Sequence, residues 1–173
     1  MSELELLEQK VSQLVRLHAQ AKEENRDLRA RTLRLETENR QLAEKMVKLD
    51  KVHLLTGYVF SNIMLASVPV AWENKVIYVS PNAAPSPLAG KDCNPNFFAV
   101  AWPNDAYHEA AGKHATDKGY KSTYLIAPNY QAGKDSLAGF KRFYKGAIAE
   151  EVYTKLGQLD YAAELAQVRA KKP

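Results

Sequence analysis

No glycine, proline or aromatic residue occurs up to Asp50 in this chain of 173 residues, and all eight glycines, eight prolines and sixteen aromatics follow it. A segment without chain breakers, rich in Leu, Glu, Arg and Lys, has the composition of one long helix. Spacing apolar positions alternately by three and four from Leu4 gives seven unbroken heptads. The d column reads Leu7, Leu14, Ala21, Leu28, Leu35, Leu42, Leu49, and the a column Leu4, Val11, His18, Asn25, Thr32, Asn39, Met46. A 3.5-residue repeat keeps one seam turned toward a partner along the whole length, which predicts a coiled coil. The first expectation is therefore a coiled-coil helix over residues 1–50 and a homodimer through residues 4–49.

Departures from the repeat bear on orientation. Asn25 and Asn39 at a positions bond to their own copies in a parallel, in-register dimer and lie unpaired in other registers. In that dimer Glu24 faces Arg29, Arg31 faces Glu36 and Lys45 faces Asp50, all attractive, while Glu3 repels Glu8. Each exposed pair contributes about 0.2–1 kcal/mol, so the pairs select an orientation rather than hold the dimer. The alternative is one amphipathic helix packed on its own domain, although a seam of two positions in seven is narrow for that. His18 reads as a tolerated seam residue. The arginines from Arg26 to Arg40 alternate with Asp27, Glu36 and Glu38, a solvated helix surface rather than a DNA-binding basic region. Residues 1–50 carry ten Lys/Arg and ten Asp/Glu, so the whole formal charge of +4 belongs to residues 51–173. That excess is too small to imply nucleic-acid binding.

Beyond residue 50 short apolar runs alternate with helical stretches. Strands are expected at residues 52–56, 76–80, 123–127 and 148–154, with a short run at 97–102. Helices are expected from an N-cap at Ser61, from Asn104 or Asp105 to Gly119, over residues 134–144, and from Asp160 to Arg169. Such alternation predicts a parallel sheet covered by helices, an α/β domain spanning residues 51–173. Ligands of such sheets bind beyond the carboxyl ends of the strands. Three loops qualify, at residues 58–62, 81–86 and 128–133. They carry Ser61 and Asn62 at a helix start, Asn82 and Ala83 in a rigid Pro-rich loop, and the aromatics Tyr58, Trp102 and Tyr130. Free N–H groups at Ser61 and Asn62 would suit a carboxylate; the same residues also serve simply to start helices and close turns.

Catalytic patterns are missing. His108 and His114 are six apart and fall on different helix faces, which is not zinc spacing. Gly133-Lys134-Asp135 lacks the upstream Gly and the Ser or Thr of a phosphate loop. Cys93, the single cysteine, has no neighbouring base in sequence and excludes an intramolecular disulfide. No Ser stands in a Gly-x-Ser-x-Gly frame. The expectation is a non-enzyme with no metal and no cofactor. The most apolar stretch, residues 63–72, is too short to span a bilayer, and the acidic start from Met1 to Glu5 reads as no secretory signal.

Two resemblances add to this reading. Leu-Glu-Gln-Lys-Val, Gln-Leu-Val-Arg-Leu and Glu-Glu-Asn-Arg-Asp-Leu-Arg, within residues 3–45, resemble the short Z-ring-associated coiled-coil proteins of bacterial cell division, which implies a self-associating structural rod. Residues 54–66 (Leu-Leu-Thr-Gly-Tyr-Val-Phe-Ser-Asn-Ile-Met-Leu-Ala), 78–90 (Tyr-Val-Ser-Pro-Asn-Ala-Ala-Pro-Ser-Pro-Leu-Ala-Gly), 93–98, 119–135 and 155–167 resemble the amino-terminal lobe of type-I periplasmic binding proteins of ABC transporters. The similarity is to the branched-chain amino-acid, or leucine-binding, group and runs from about Gln41 to Pro173. It implies a partial parallel α/β sandwich, an incomplete lobe of that fold. It also implies binding of a branched-chain amino acid or related small carboxylate, an ABC permease as partner and a periplasmic location, although no signal peptide is written here and the chain as written would stay cytoplasmic. By resemblance Ser61 bonds a ligand carboxylate and Asn82, Ala83 and Ala84 offer backbone groups. Tyr130 lies near the cleft and Trp102 near the hinge-side wall. The heptads stand where the family has its first strands, and the chain stops before the family's second lobe. The expectation is a chimera or truncation with impaired binding.

Overall fold

The computed structural model describes residues 3–173; of the start read over Met1 to Glu5, Met1 and Ser2 lie outside the described residues. Helix α1 (Glu3–Lys48) is unbroken over 46 residues, about 70 Å at 1.5 Å per residue. Glu3 and Glu5 in its first turn and Lys45 and Lys48 in its last complement the helix dipole. It ends where Asp50 N–H returns to the Lys45 carbonyl at 3.0 Å and Lys51 takes a positive φ of 55°.

The face of α1 that enters the core is not the heptad seam. Ala43 and Val47 are buried, whereas the seam residues Leu42, Met46 and Leu49 remain exposed. At 3.6 residues per turn the two stripes lie roughly 100° apart around the helix. Arg29, Glu36 and Ala43, seven apart, form the e column, and it is this column that faces the rest of the chain. Asn25 and Asn39 turn their amides back to the Ala21 and Leu35 carbonyls of their own helix, at 3.1 and 2.8 Å. Lys45 pairs with Asp50 of its own chain at 2.7 Å.

After α1 come β1 (Leu54–Thr56), α2 (Ser61–Glu73), β2 (Ile77–Ser80), a 3-10 turn (Ser86–Ala89) and β3 (Phe97–Ala99). The three strands pair in parallel in the order β1-β2-β3, with Leu55 opposite Tyr78 and Tyr78 opposite Phe97. Helix α2 has buried residues around most of its circumference, Met64, Ser67, Val68, Val70 and Ala71 among them. Its partners explain this: one core joins Ala43 and Val47 of α1, Met64, Val68 and Ala71 of α2, and Leu55 and Tyr78 of the sheet. A helix packed on two sides reads as apolar throughout.

A second unit follows, with α3 (Ala106–Asp117), β4 (Ser122–Pro128), α4 (Gln131–Phe143), β5 (Ala147–Thr154) and α5 (Ala162–Lys171). Here β4 and β5 pair in parallel as a separate two-stranded sheet, with a register shift at Thr123/Tyr124. The expected single sheet is thus two sheets. Alternation of strand and helix fixes parallel pairing within each βαβ unit but carries no signal for whether the next strand rejoins the same sheet. Helix α3 packs on α4 so closely that a methyl group at Gly112 would collide with the Phe140 carbonyl. Ser61 is the first helical residue of α2 rather than its N-cap, which is Phe60. Asp160 does close the start of α5, its Oδ1 accepting the Ala162 N–H at 2.9 Å. No helix among the described residues is long and apolar enough to cross a membrane.

Tyr78 is the largest side chain fully buried in the first core. Its ring lies between Tyr58 and Phe97, with centroids 6.2 and 5.9 Å away, and its hydroxyl donates to the Gly57 carbonyl at 3.0 Å. Burial, and secondarily Tyr58, push its phenol well above the usual value. The folded state therefore holds this proton more tightly than the unfolded state. The resulting stability is complete below about pH 10 and is lost as pH rises toward the folded value. Tyr78→Phe should cost about 1 kcal/mol at neutral pH and flatten the loss of stability above pH 10, as read by urea unfolding across pH. An unchanged alkaline slope would remove Tyr78 from that account.

Candidate functional site

The chain segments that follow β1, β2 and β4 meet through hydrogen bonds, at a junction termed the crevice, and a buried carboxylate fastens it. Asp135 in α4 is 6% exposed. Its Oδ2 accepts the Ser86 N–H at 3.1 Å and the Asn104 amide at 3.0 Å, and its Oδ1 accepts the Gln131 amide at 2.8 Å. The Asn104 amide also donates to the Ser61 hydroxyl at 3.0 Å, while the Asn104 N–H reaches the Ala84 carbonyl at 2.9 Å. Asn104, through its side chain and its backbone N–H together, thus links the start of α2, the loop after β2 and Asp135 in α4. Phe60 and Tyr130 meet edge to face beside it, centroids 6.2 Å apart.

Each residue singled out in the sequence has a definite place. Ser61 is buried, its hydroxyl engaged by Asn104. The Asn62 amide donates to Glu36 of α1 at 2.8 Å, while its Oδ1 is buried without a partner, as is Oγ of Ser86. Asn82 is exposed on the loop. Ala83 and Ala84 are buried; the Ala83 carbonyl accepts the Ser80 hydroxyl at 2.5 Å. Ala84 also lines a small cavity of about 200 Å³ with Leu88, Phe97 and Pro103. Trp102 is 68% exposed and is not drawn into the network. Tyr130 is half-buried against Phe60. Ser61 and Ala84 are thus both joined to Asn104, Tyr130 lies against Phe60, Asn62 is bonded to α1, and Asn82 and Trp102 are exposed outside the network.

Asn104 and Asp135 were missed as site residues because each fits a simpler local role, as a helix start and as part of a Gly-Lys-Asp string. The available signal was a charged residue on the buried face of α4, between Gly133 and Leu137.

A second concavity, of about 570 Å³, lies between the middle of α1 and the carboxyl ends of β4 and β5. Arg29 and Glu36 border it from the helix, and Asn129, Thr154 and Lys155 from the strand ends. Tyr153 on this edge donates to Glu151 at 2.8 Å; burial, then that bond, push its phenol up to about 12. Glu151 is held below the usual carboxylate range chiefly by its hydrogen bond to Lys141. Among the described residues no group of three or more His, Cys, Asp or Glu side chains is placed to hold a metal.

Comparison with known proteins places this geometry in context. Residues 36–173 match the family described as periplasmic binding protein. The match begins inside α1 and leaves residues 3–35 outside it. Leu/Ile/Val-binding protein homolog 6 of Brucella abortus is 23% identical over 135 residues, covering 76% of this chain and 34% of that relative. The chain thus spans about a third of the length of the curated relatives it matches. A solute-binding protein of an ABC transporter from R. palustris, solved with benzoate, is 25% identical with a TM-score of 0.75, covering 80% of this chain and 39% of that one. A second, from Rhodopseudomonas palustris BisB5 with 3,4-dihydroxybenzoic acid, is 26% identical with a TM-score of 0.73, covering 80% and 38%.

The fastening at Asp135 is directly testable. Asp135→Ala leaves the Ser86 N–H and the Asn104 amide without their acceptor and should lower stability by about 3 kcal/mol. Asp135→Asn, which keeps one oxygen acceptor, should cost less. An unchanged urea midpoint for Asp135→Ala would show that the crevice is held by other contacts.

Proposed function

The chain belongs to the periplasmic-binding-protein family, and we propose that it serves as the solute-binding component of an ABC importer, recognising a small carboxylate. The observation that carries this reading is the convergence of the loops after β1, β2 and β4 on one crevice, linked through Asn104 and Asp135. In open α/β folds that is where ligands bind. The relatives offer two ligand chemistries, branched-chain amino acids by the name of the Brucella protein and benzoates in the two Rhodopseudomonas complexes. Both are small carboxylates with an apolar body.

In this reading Ser61, Asn62 and the free N–H groups at the start of α2 receive the carboxylate. The backbone of Asn82, Ala83 and Ala84 adds hydrogen-bonding groups, and Trp102 and Tyr130 supply aromatic walls. The partner on the membrane side is the importer's permease, and the place of action is the periplasm. Residues 1–50 act as a rod and residues 51–173 as the ligand-binding part, with the last turns of α1 shared between them through Ala43 and Val47.

The rod carries a proposal of its own, that it pairs two copies. Leu4, Leu7, Val11 and Leu14 are each at least half exposed on one stripe. Asn25, Leu28 and Thr32 of the same seam border the cleft beside β4 and β5 instead. The pairing is proposed along residues 4–49, since Leu42, Met46 and Leu49 at the far end of the seam are exposed as well. Self-association is read here as an attribute of a binding protein, not as a separate structural function.

Calorimetry of the full chain with leucine and with benzoate should show saturable heat for one of them, and Ser61→Ala should weaken that binding about tenfold or more. Absence of heat with both rejects the carboxylate reading; an unchanged isotherm for Ser61→Ala removes that residue alone. For the rod, sedimentation should give a dimer that Leu7→Lys with Leu14→Lys converts to monomer. A monomeric parent chain would end the pairing proposal.

A further inference from the structure

We propose that the cleft between α1 and the carboxyl ends of β4 and β5 is a second binding site, taking a zwitterionic amino acid with an apolar side chain. It goes beyond the crevice reading, since none of Ser61, Asn62, Asn82, Ala83, Ala84, Trp102 or Tyr130 lines it. Its volume of about 570 Å³ falls within the usual range of small-ligand sites, about 300–1,000 Å³. Charges of both signs stand on its walls. The Arg29 side chain on the helix has no hydrogen bond or ion pair among the described residues. Lys155, on the opposite wall, has its carboxylate partner Glu24 only at 4.0 Å. These two cations present donors for a carboxylate, with the Arg29 fork able to bind both oxygens.

The acidic groups of the same cleft make a bare anion a poor match. Glu36 accepts the Asn62 amide through Oε1 and Glu164 accepts the Gln158 amide through Oε1, at 2.8 Å in each case. Each has a second oxygen that these bonds do not use, so an ammonium group finds acceptors there. Leu28, Leu33 and Leu156 border the remainder and are 44%, 66% and 42% exposed, apolar surface that a ligand's hydrocarbon side chain would cover. A carboxylate, an ammonium and an apolar side chain on one small molecule describe an apolar α-amino acid. The helical wall comes largely from residues before Glu36, outside the family match, so this site is particular to the chain that carries α1.

The test uses the full-length Ser61→Ala chain, titrated with leucine by calorimetry. A binding event should persist in it and weaken about tenfold or more when Arg29→Gln and Lys155→Gln are added. Lys118→Gln, which removes an exposed charge that does not line the cleft, should leave it unchanged. In the Ser61→Ala chain, 4-methylpentanoate, lacking the ammonium, and 3-methylbutylamine, lacking the carboxylate, should each bind about tenfold or more weaker than leucine. Heat in the parent chain that vanishes in Ser61→Ala overturns the cleft and leaves the crevice reading standing. Heat in Ser61→Ala that ignores Arg29→Gln with Lys155→Gln overturns it as well. No heat with leucine in either chain, as when the helix of a second copy covers Asn25, Leu28 and Thr32, overturns it too; the crevice reading then falls only if benzoate also gives none.

Discussion

The segments around the two sheets of this protein are tied together because one buried carboxylate takes hydrogen bonds from the 3-10 turn, from the loop before α3 and from its own helix α4. Asp135 belongs to the helix that follows β4, yet two of its three donors, the Ser86 N–H and the Asn104 amide, come from chain segments that precede α3. A buried polar group without partners costs about 1–3 kcal/mol, and more if charged, so an arrangement that satisfies it disfavours displaced packings. The direct apolar contact between the sheets is limited by comparison, since their cores are separate clusters. The relative position of the loops at the crevice therefore depends on this network more than on hydrophobic burial.

The long helix answers two demands with two stripes. Its e column, ending in the small Ala43, docks on α2 and reaches Asn62 through Glu36. Its seam is exposed at both ends and borders the chain's own strand ends in the middle. A stripe of leucines in solvent is uneconomical for an isolated chain, and pairing with a second copy would cover it. The seam's polar a positions, Asn25 and Thr32, fit their place beside a hydrated cleft. Thr32 and Asn25 both bond back to their own helix, to the Leu28 and Ala21 carbonyls, so neither needs a partner helix for satisfaction.

Under the proposed function, the groups that would meet a ligand stand on loops at strand ends and on the first residues of α2, held by regular elements behind them. The crevice groups are largely backbone, hydroxyl and amide groups, suited to orienting a small polar ligand. The cleft beside α1 is bordered by charged side chains, Arg29, Glu36, Lys155 and Glu164. The two lie on either side of the Asn62–Glu36 hydrogen bond, which connects the start of α2 to the rod.

Much of the secondary structure was legible locally. The absence of Gly and Pro before Asp50 determined a single helix, and alternating apolar runs with caps located four of the five strands and the helices between them within a few residues, while β3 (Phe97–Ala99) was legible only as a short apolar run. The resemblance of residues 78–90 and 119–135 to periplasmic binding proteins pointed to the family and to the loops that meet at the crevice. What local pattern could not carry was partnership. Heptads identified a seam, but the face that reached the core was set by Ala43 and Val47, whose burial depends on where α2 lies. Likewise the strands were found, but their division into sheets of three and two, and the acceptor role of Asp135 toward Ser86 and Asn104, were decided only in three dimensions. The physical reason is one of range: helix and strand formation depend on neighbours a few residues apart, whereas desolvating a carboxylate is tolerable only when donors 31 and 49 residues away arrive together.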